Sequence, residues 1–343
     1  MMSPAPAGLL DGGVRGVLSL AAPFHIGCAE APNRVVLAPM AGLTCSAYRR
    51  HLKSHGVGLV TTEMVSAYGL IHHNARTTEY LDFTEEERPI AVQLFGDKPE
   101  VVARAAELVL CRAMIPDMID INMGCPVRKV VKTGAGAALL GDPDRAAEMA
   151  AAVVGVAAQS GIPVTVKLRS GLHTGDRTAV ELAPRLEQVG VAALGVHPRA
   201  AGDFYRGAAD HTITAAVVRS VGIPVMASGD VTNVGSALTI VETTEAVAVM
   251  VARGVAGNPW LVDALLSDGA IARPLLPEVV ADLRRLLGRV VEEQGPERAT
   301  RWIRKVIGWY LRPSGVAAPT IERLRMLPGA KELDEALEAL GAR

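Results

Sequence analysis

Residues 118–126 read Met-Ile-Asp-Ile-Asn-Met-Gly-Cys-Pro. The near-continuous apolar run predicts a strand covered on both faces, and the Asn-Met-Gly-Cys-Pro that follows predicts a loop dense in reactive groups. Seven other runs share this pattern: 34–39 (RVVLAP), 58–63 (GLVTTE), 89–95 (PIAVQLF), 162–168 (IPVTVKL), 192–197 (AALGVH), 223–228 (IPVMAS) and 246–252 (AVAVMVA). Helical spacing fills the intervals between them. Eight βα units in succession predict an α/β fold, a TIM (β/α)8 barrel, whose chemistry lies at the C-terminal ends of its strands.

Those ends are polar. They hold Pro39-Met40-Ala41, Glu63, Gln93, Asn122 to Cys125, Lys167 and Arg169, His197 and Arg199, Ser228-Gly229-Asp230, and Arg253-Gly254. The seventh and eighth loops, with Ser228–Asp230 and Arg253-Gly254, stand where many such barrels grip a phosphate with backbone donors. Gln93, Asn122, Lys167 and His197 would ring the mouth with hydrogen-bonding groups suited to a flat heteroaromatic such as the isoalloxazine of FMN. Cys125, with Lys129 and Lys132 nearby and the Gly134-Ala135-Gly136-Ala137 run behind it, would be a partly exposed thiol in an electropositive loop, fit to act as acid or nucleophile. Cys28, Cys45 and Cys111 read instead as small buried hydrophobes. Glu63 has no evident partner, and the acidic run Asp82–Glu87 reads as a solvated loop.

From about Leu275 strands give way to helical spacing over 278–295, 298–311 and 331–340, a small all-helical domain. Residues 298–325 hold seven basic residues against one acidic, with Trp302 and Trp309 among them. On spacing alone the aromatics pack a helical core and the arginines form a solvated face. The expected division is therefore an extension over 1–20 that is disordered and is not a secretory signal, a barrel over 21–274 and a helical domain over 275–343.

Composition narrows the function classes. The chain has 343 residues, half of them hydrophobic and 21% charged, which excludes wholesale disorder. No apolar stretch approaches the ~18 residues of a membrane span. Lysine plus arginine number 35 against 36 acidic residues, so any nucleic-acid surface must be local. Four cysteines without a CxxC pair argue against a disulfide framework or a bound metal and for a reducing cytoplasm.

In order and spacing these motifs resemble the tRNA-dihydrouridine synthases, in particular the B-type bacterial subfamily. The resemblance runs from about Pro32 to Leu311. It is carried by Ala38–Gly42 (APMAG), Thr62–Met64 (TEM), Val92–Gly96 (VQLFG), Asp120–Pro126 (DINMGCP), Gly134–Leu140 (GAGAALL), Val166–Arg169 (VKLR), Val196–Arg199 (VHPR) and Gly229-Asp230. The resemblance implies FMN held by Pro39, Met40, Ala41, Gln93, Lys167, the Ser228–Asp230 loop and the Ala252–Gly254 loop. It implies hydride delivery from reduced flavin to carbon 6 of uracil while Cys125 protonates carbon 5, with NADPH or NADH as reductant and tRNA as partner. Lys129, Lys132, Arg169 and Arg199 near the mouth, and Arg298, Arg301, Arg304 and Lys305 in the helical domain, are then the expected substrate contacts. Since no G-x-G-x-x-G follows a strand, the nicotinamide would visit the flavin site transiently. The chain departs from the family pattern at Cys45 (usually Asp), Ala200-Ala201 (Thr-Arg), Ser228 (Asn) and Ala252 (Gly). Two further readings are an FMN barrel reducing a small pyrimidine, for which an arginine-rich tail has no use, and an RNA-binding barrel without chemistry, against which Cys125 and Lys167 argue.

Overall fold

The structure is a computed structural model and describes residues 19–342. Eight parallel strands close into a barrel: β1 Val35–Leu37, β2 Leu59–Thr61, β3 Ile90–Phe95, β4 Met118–Met123, β5 Val164–Arg169, β6 Ala193–His197, β7 Val225–Ser228 and β8 Ala248–Val251. Closure is made by β8 on β1, with Val249 opposite Val35, and by β2 on β3, with Val60 opposite Ile90. All eight expected strands are present. Their ends are trimmed where turn residues intrude, so that β5 begins after Pro163 and β7 after Pro224.

The connecting helices are α1 Ser46–Lys53, α2 Ala67–Ile71, α3 Pro99–Leu110, α4 Pro143–Ala157, α5 Thr178–Gln188, α6 His211–Ser220, α7 Val234–Thr244 and α8 Trp260–Leu266. Short helical turns also lie at Ala75–Glu79 and Arg128–Val131. A two-stranded hairpin, Phe24–Ile26 with Ala29–Ala31, escapes the sequence pattern because each arm has only three residues. Its Phe24 and Ile26 pack with Leu59, Ala91, Met118, Ala193, Met226 and Ala248, the inward residues at the strand starts, and so plug the floor of the barrel. Of the expected N-terminal extension, residues 1–18 lie outside the described residues. Leu20 is fully buried and belongs to the core.

The helical region comprises α9 Leu276–Gln294, α10 Pro296–Leu311, α11 Ala318–Arg325 and α12 Ala330–Gly341. Short, proline-started α11 has no sequence-level counterpart among the expected helices. The tail shares one apolar core with the barrel: Tyr48 and Leu52 of α1 and Leu261 of α8 cluster with Leu283, Leu286, Trp302, Val306 and Tyr310. No helix among the described residues is long and apolar enough to cross a membrane.

Candidate active site

The C-terminal ends of the strands surround a cavity of about 640 Å³, a volume within the range of cofactor pockets. Its floor is a hydrogen-bonded relay begun by a buried carboxylate. Asp120 of β4 accepts from Thr165 at 2.5 Å and from the Gln93 amide at 2.7 Å. Gln93 in turn accepts from Asn122 at 2.8 Å. The Asn122 side-chain oxygen then accepts the backbone N–H groups of Gly124, at 3.2 Å, and Cys125, at 2.9 Å. One chain of bonds thus runs from the barrel interior to the loop that carries the thiol.

Burial pushes the Cys125 thiol above the usual cysteine range, against weaker lowering by the Val127 backbone N–H and by Arg169. At neutral pH it keeps its proton, so the lysines of the loop do not make it a thiolate. Lys129 and Lys132 sit exposed on and just after the turn that follows Cys125 and do not line the cavity.

Lys167 of β5 and His197 of β6 face the same space. The lysine pKa is lowered to about 8 by burial, then by Arg169 beside it, with Asp120 opposing. His197 is lowered to about 2 by burial and by the surrounding Lys167, Arg169, Arg199 and Arg253. It is therefore a neutral imidazole. Arg199 donates to its Nε2 at 3.1 Å, which leaves the proton on Nδ1.

Two predicted arginines line the mouth and also tie its loops together. Arg169, 3% exposed, donates to the carbonyls of Gly124 (3.0 Å), Ala200 (3.1 Å) and Phe204 (2.7 Å), tying the β4 and β6 loops together. Arg199 clamps Asp230 through both carboxylate oxygens, at 2.7 and 2.8 Å, and caps the Gly207 carbonyl. Asp230 thus orients the β7 loop through Arg199 and the Ala209 N–H. Gly229, at φ +113°, has no room for a side chain, because a Cβ there would lie 2.9 Å from His197.

The wall from β1 is the Pro39–Ala41 loop, held from three directions. Thr44 Oγ1 bonds the Met40 N–H and carbonyl, Glu63 accepts the Gly42 N–H, and Lys305 of α10 donates to the Gly42 carbonyl at 2.9 Å. Glu63 therefore has a partner that no local pattern announces. Burial raises its pKa, against the Gly42 N–H, Arg49 and Lys305.

Sequence reasoning gave no site role to Tyr205, Met64 and Met250 and placed Trp309 in a helical core, yet all four line the cavity. Tyr205 is 54% exposed; the guanidinium of Arg253 lies over its ring at 4.4 Å and that of Arg169 at 5.5 Å. Aromatic surface beside cations in a strand-end loop was its only available signal. Trp302 is buried as expected, but Trp309 is 46% exposed and reaches the rim of the mouth. The loop beneath it requires Gly257, at φ +70°, because a Cβ there would lie 2.3 Å from the Trp309 backbone.

A second cleft of about 1010 Å³ opens between α1, residues 76–84 and the start of α10, lined among others by Arg50, Arg76, Arg298, Arg301 and Lys305. Arg298 pairs with Glu79 at 3.1 Å. Arg304 instead donates to the Leu327 carbonyl at 2.7 Å, inside the tail.

Two further sequence expectations are corrected. Cys28 and Cys111 are exposed, the former at the hairpin turn and the latter at the end of α3; only Cys45 is buried, its thiol pushed up to about 12 chiefly by burial. In the acidic run, Asp82, Glu85 and Glu86 are solvated, but Glu87 is fully buried against Arg49 at 2.5 Å. Arg49 also caps the carbonyls of Thr44 and Asp82, so the charge is fully hydrogen-bonded. Cys45 stands at the N-cap of α1 without capping it, and Glu293 of α9 accepts the Ala47 N–H from outside.

A family profile described as dihydrouridine synthase matches residues 36–338. The chain is 36% identical to tRNA-dihydrouridine synthase B of Pseudomonas aeruginosa over 312 residues, covering 90% of this chain and 89% of that one. It is 34% identical to tRNA-dihydrouridine synthase B of Pasteurella multocida over 84% of this chain and 87% of that one. Among solved structures the fold is shared with morphinone reductase, at a TM-score of 0.52 and 16% identity over 76% of this chain and 92% of that one. A cavity rimmed by strand ends, a protonated thiol on its Asn-x-Gly-Cys-Pro loop and a family match spanning barrel and tail together place this chain in the dihydrouridine synthase family, an oxidoreductase family.

Proposed function

We propose that this chain reduces the 5,6 double bond of uridines in tRNA as a cytoplasmic, FMN-dependent enzyme with NADPH or NADH as electron source. The observation that carries the reading is that Cys125, Lys167, His197 and the tail residues Lys305 and Trp309 all face one cavity. The donor set suits FMN: amide and ammonium groups on the floor, apolar Ala38, Met40 and Met250 around them, and Arg253 with the 228–230 and 252–254 turns at one end for a phosphate. When bound, the flavin would supply hydride.

Lys167 would favour electron-rich carbonyl oxygen at its Nζ, and neutral His197 would hold the base or cofactor edge by hydrogen bonds rather than by charge. The Asn122 side chain fixes the loop so that the Cys125 proton faces the cavity, as a general acid requires. A uridine must leave its stack to enter, and Trp309 and Tyr205 at the rim offer aromatic faces to what is displaced. Arg298, Arg301 and Lys305 line the cleft that continues from the mouth toward α1, where an RNA backbone would be neutralised.

The test is to map dihydrouridine in tRNA from a strain lacking the gene, with and without the wild-type copy. Loss of dihydrouridine at a defined position, restored by the wild type and not by Cys125→Ala, is expected. An unchanged map sinks the reading.

A further inference from the structure

Away from the mouth, helix α1 presents His51 and His55, four residues apart and hence on one face, to the tail. Opposite them α9 places Asp282, fully buried. The Nε2 atom of His51 lies 2.9 Å from one carboxylate oxygen of Asp282, and Nε2 of His55 lies 3.3 Å from the other. Tyr310 of α10 brings its hydroxyl to 3.2 Å from both His51 Nε2 and Asp282. Behind His55, its Nδ1 lies 2.6 Å from Asp263 of α8. None of these residues lines the mouth cavity.

Two imidazoles aim the same ring nitrogen at a single carboxylate, one at each oxygen. The three ligand-capable atoms fall within 4.8 Å of one another, and this is the one such group of three among the described residues. The residue types follow the rules for a divalent site: a helical His pair at i and i+4, a carboxylate from a second element, and an outer carboxylate fixing the ring through Nδ1. The spacing is close to that of a coordination shell: His51 lies 2.9 Å from one Asp282 oxygen, His55 3.3 Å from the other and Tyr310 3.2 Å from His51, where a tetrahedron with metal bonds of about 2.0–2.1 Å has edges of about 3.3 Å, so small side-chain shifts would bring the group around an ion. The charges agree too, since Asp282 and Asp263 together balance a dication. Arg285, which donates to Asp282 at 2.8 Å, is 64% exposed and free to swing out.

We propose that His51 Nε2, His55 Nε2 and the Asp282 carboxylate bind a divalent cation of the zinc class, with the Tyr310 oxygen or a water in the fourth position and Asp263 as the positioning carboxylate. Such an ion would rivet α1 and α8 of the barrel to α9 and α10 of the tail. The ligands come from elements distant in sequence, which is why no motif announces them.

The experiment uses the untagged full chain, stripped with chelator and titrated with Co2+ and then Zn2+. The expected result is one equivalent of Co2+ with the intense visible bands of a four-coordinate ion, no near-ultraviolet thiolate band, displacement by Zn2+ and a melting temperature that rises with Zn2+. Asp263→Asn should weaken binding about 10- to 100-fold, as loss of an outer ligand does, and Asp282→Asn should weaken it further. A folded wild-type chain without those bands and without a zinc-dependent melting shift overturns the proposal. So does binding that persists unchanged in Asp282→Asn, or a thiolate band that moves the ion to a cysteine.

Discussion

The Asn122 side-chain oxygen accepts the backbone N–H of Cys125 at 2.9 Å, so the penultimate residue of β4 sets the position of the thiol three residues later. Because burial holds that thiol protonated, Cys125→Ala and Cys125→Ser should keep flavin content and reduction by NADPH while slowing reoxidation by tRNA ~100- to 10,000-fold. In the wild type, reoxidation should stay level through neutral pH and fall as pH rises through the raised thiol pKa. Rapid-mixing absorbance of the flavin reads both half-reactions, and wild-type reoxidation in Cys125→Ala would remove the thiol from the chemistry.

Lys167 titrates near 8 in the folded chain against an ordinary 10.5. Between those values the unfolded chain holds a proton that the folded one lacks, so this group makes stability rise with pH across that window. An electron-rich ligand against Nζ restores the higher pKa. FMN binding near pH 8.5 should therefore take up a proton, visible as a heat that changes with the buffer's ionisation enthalpy, and Lys167→Met should abolish the uptake. Equal heats in all buffers for the wild type would place the ligand elsewhere.

Removing Glu87 should strand the buried Arg49 charge. Glu87→Ala is expected to cost about 3–5 kcal/mol in urea unfolding, whereas Cys111→Ala, at an exposed position, should stay within about 0.5 kcal/mol. A Glu87→Ala loss below about 1 kcal/mol would mean that Arg49 finds water.

The tail arginines should separate by location. Alanine at Arg298, Arg301 or Lys305, in the cleft, should weaken tRNA binding and reduce its log-log salt slope by about 0.7–0.9 for each phosphate left without its cation. Arg304→Ala, which frees only the Leu327 carbonyl, should lower stability and leave the slope alone. Trp309→Ala should weaken tRNA binding by about 1–3 kcal/mol with Phe restoring most of it. Identical slopes for all the variants would assign the cleft cations to the solvent.

The barrel was legible because strands covered on both faces spell long apolar runs, and the mouth because polar residues closing such runs have no role in a core. What was illegible is contact across the fold. Glu87 looks like its solvated neighbours until Arg49 is seen beneath it. Arg169 and Arg199 line the mouth, but nothing in the sequence announces the carbonyls and the aspartate that they also hold. Trp309 and Trp302 are both apolar residues of α10, and only their packing tells the rim from the core.

The hydrogen bonds of Arg169 all go to main-chain oxygens, those of Gly124, Ala200 and Phe204. Every amino acid offers the same carbonyl, so the loop after β6 can exchange side chains without losing its anchor. The side chains carried at positions 200 and 201 therefore alter what that loop shows to a ligand and leave where it stands unchanged. The anchor makes positions 200 and 201 an interchangeable face on a fixed mount, a place where specificity can drift while the thiol-bearing loop on the other side of Arg169 keeps its geometry.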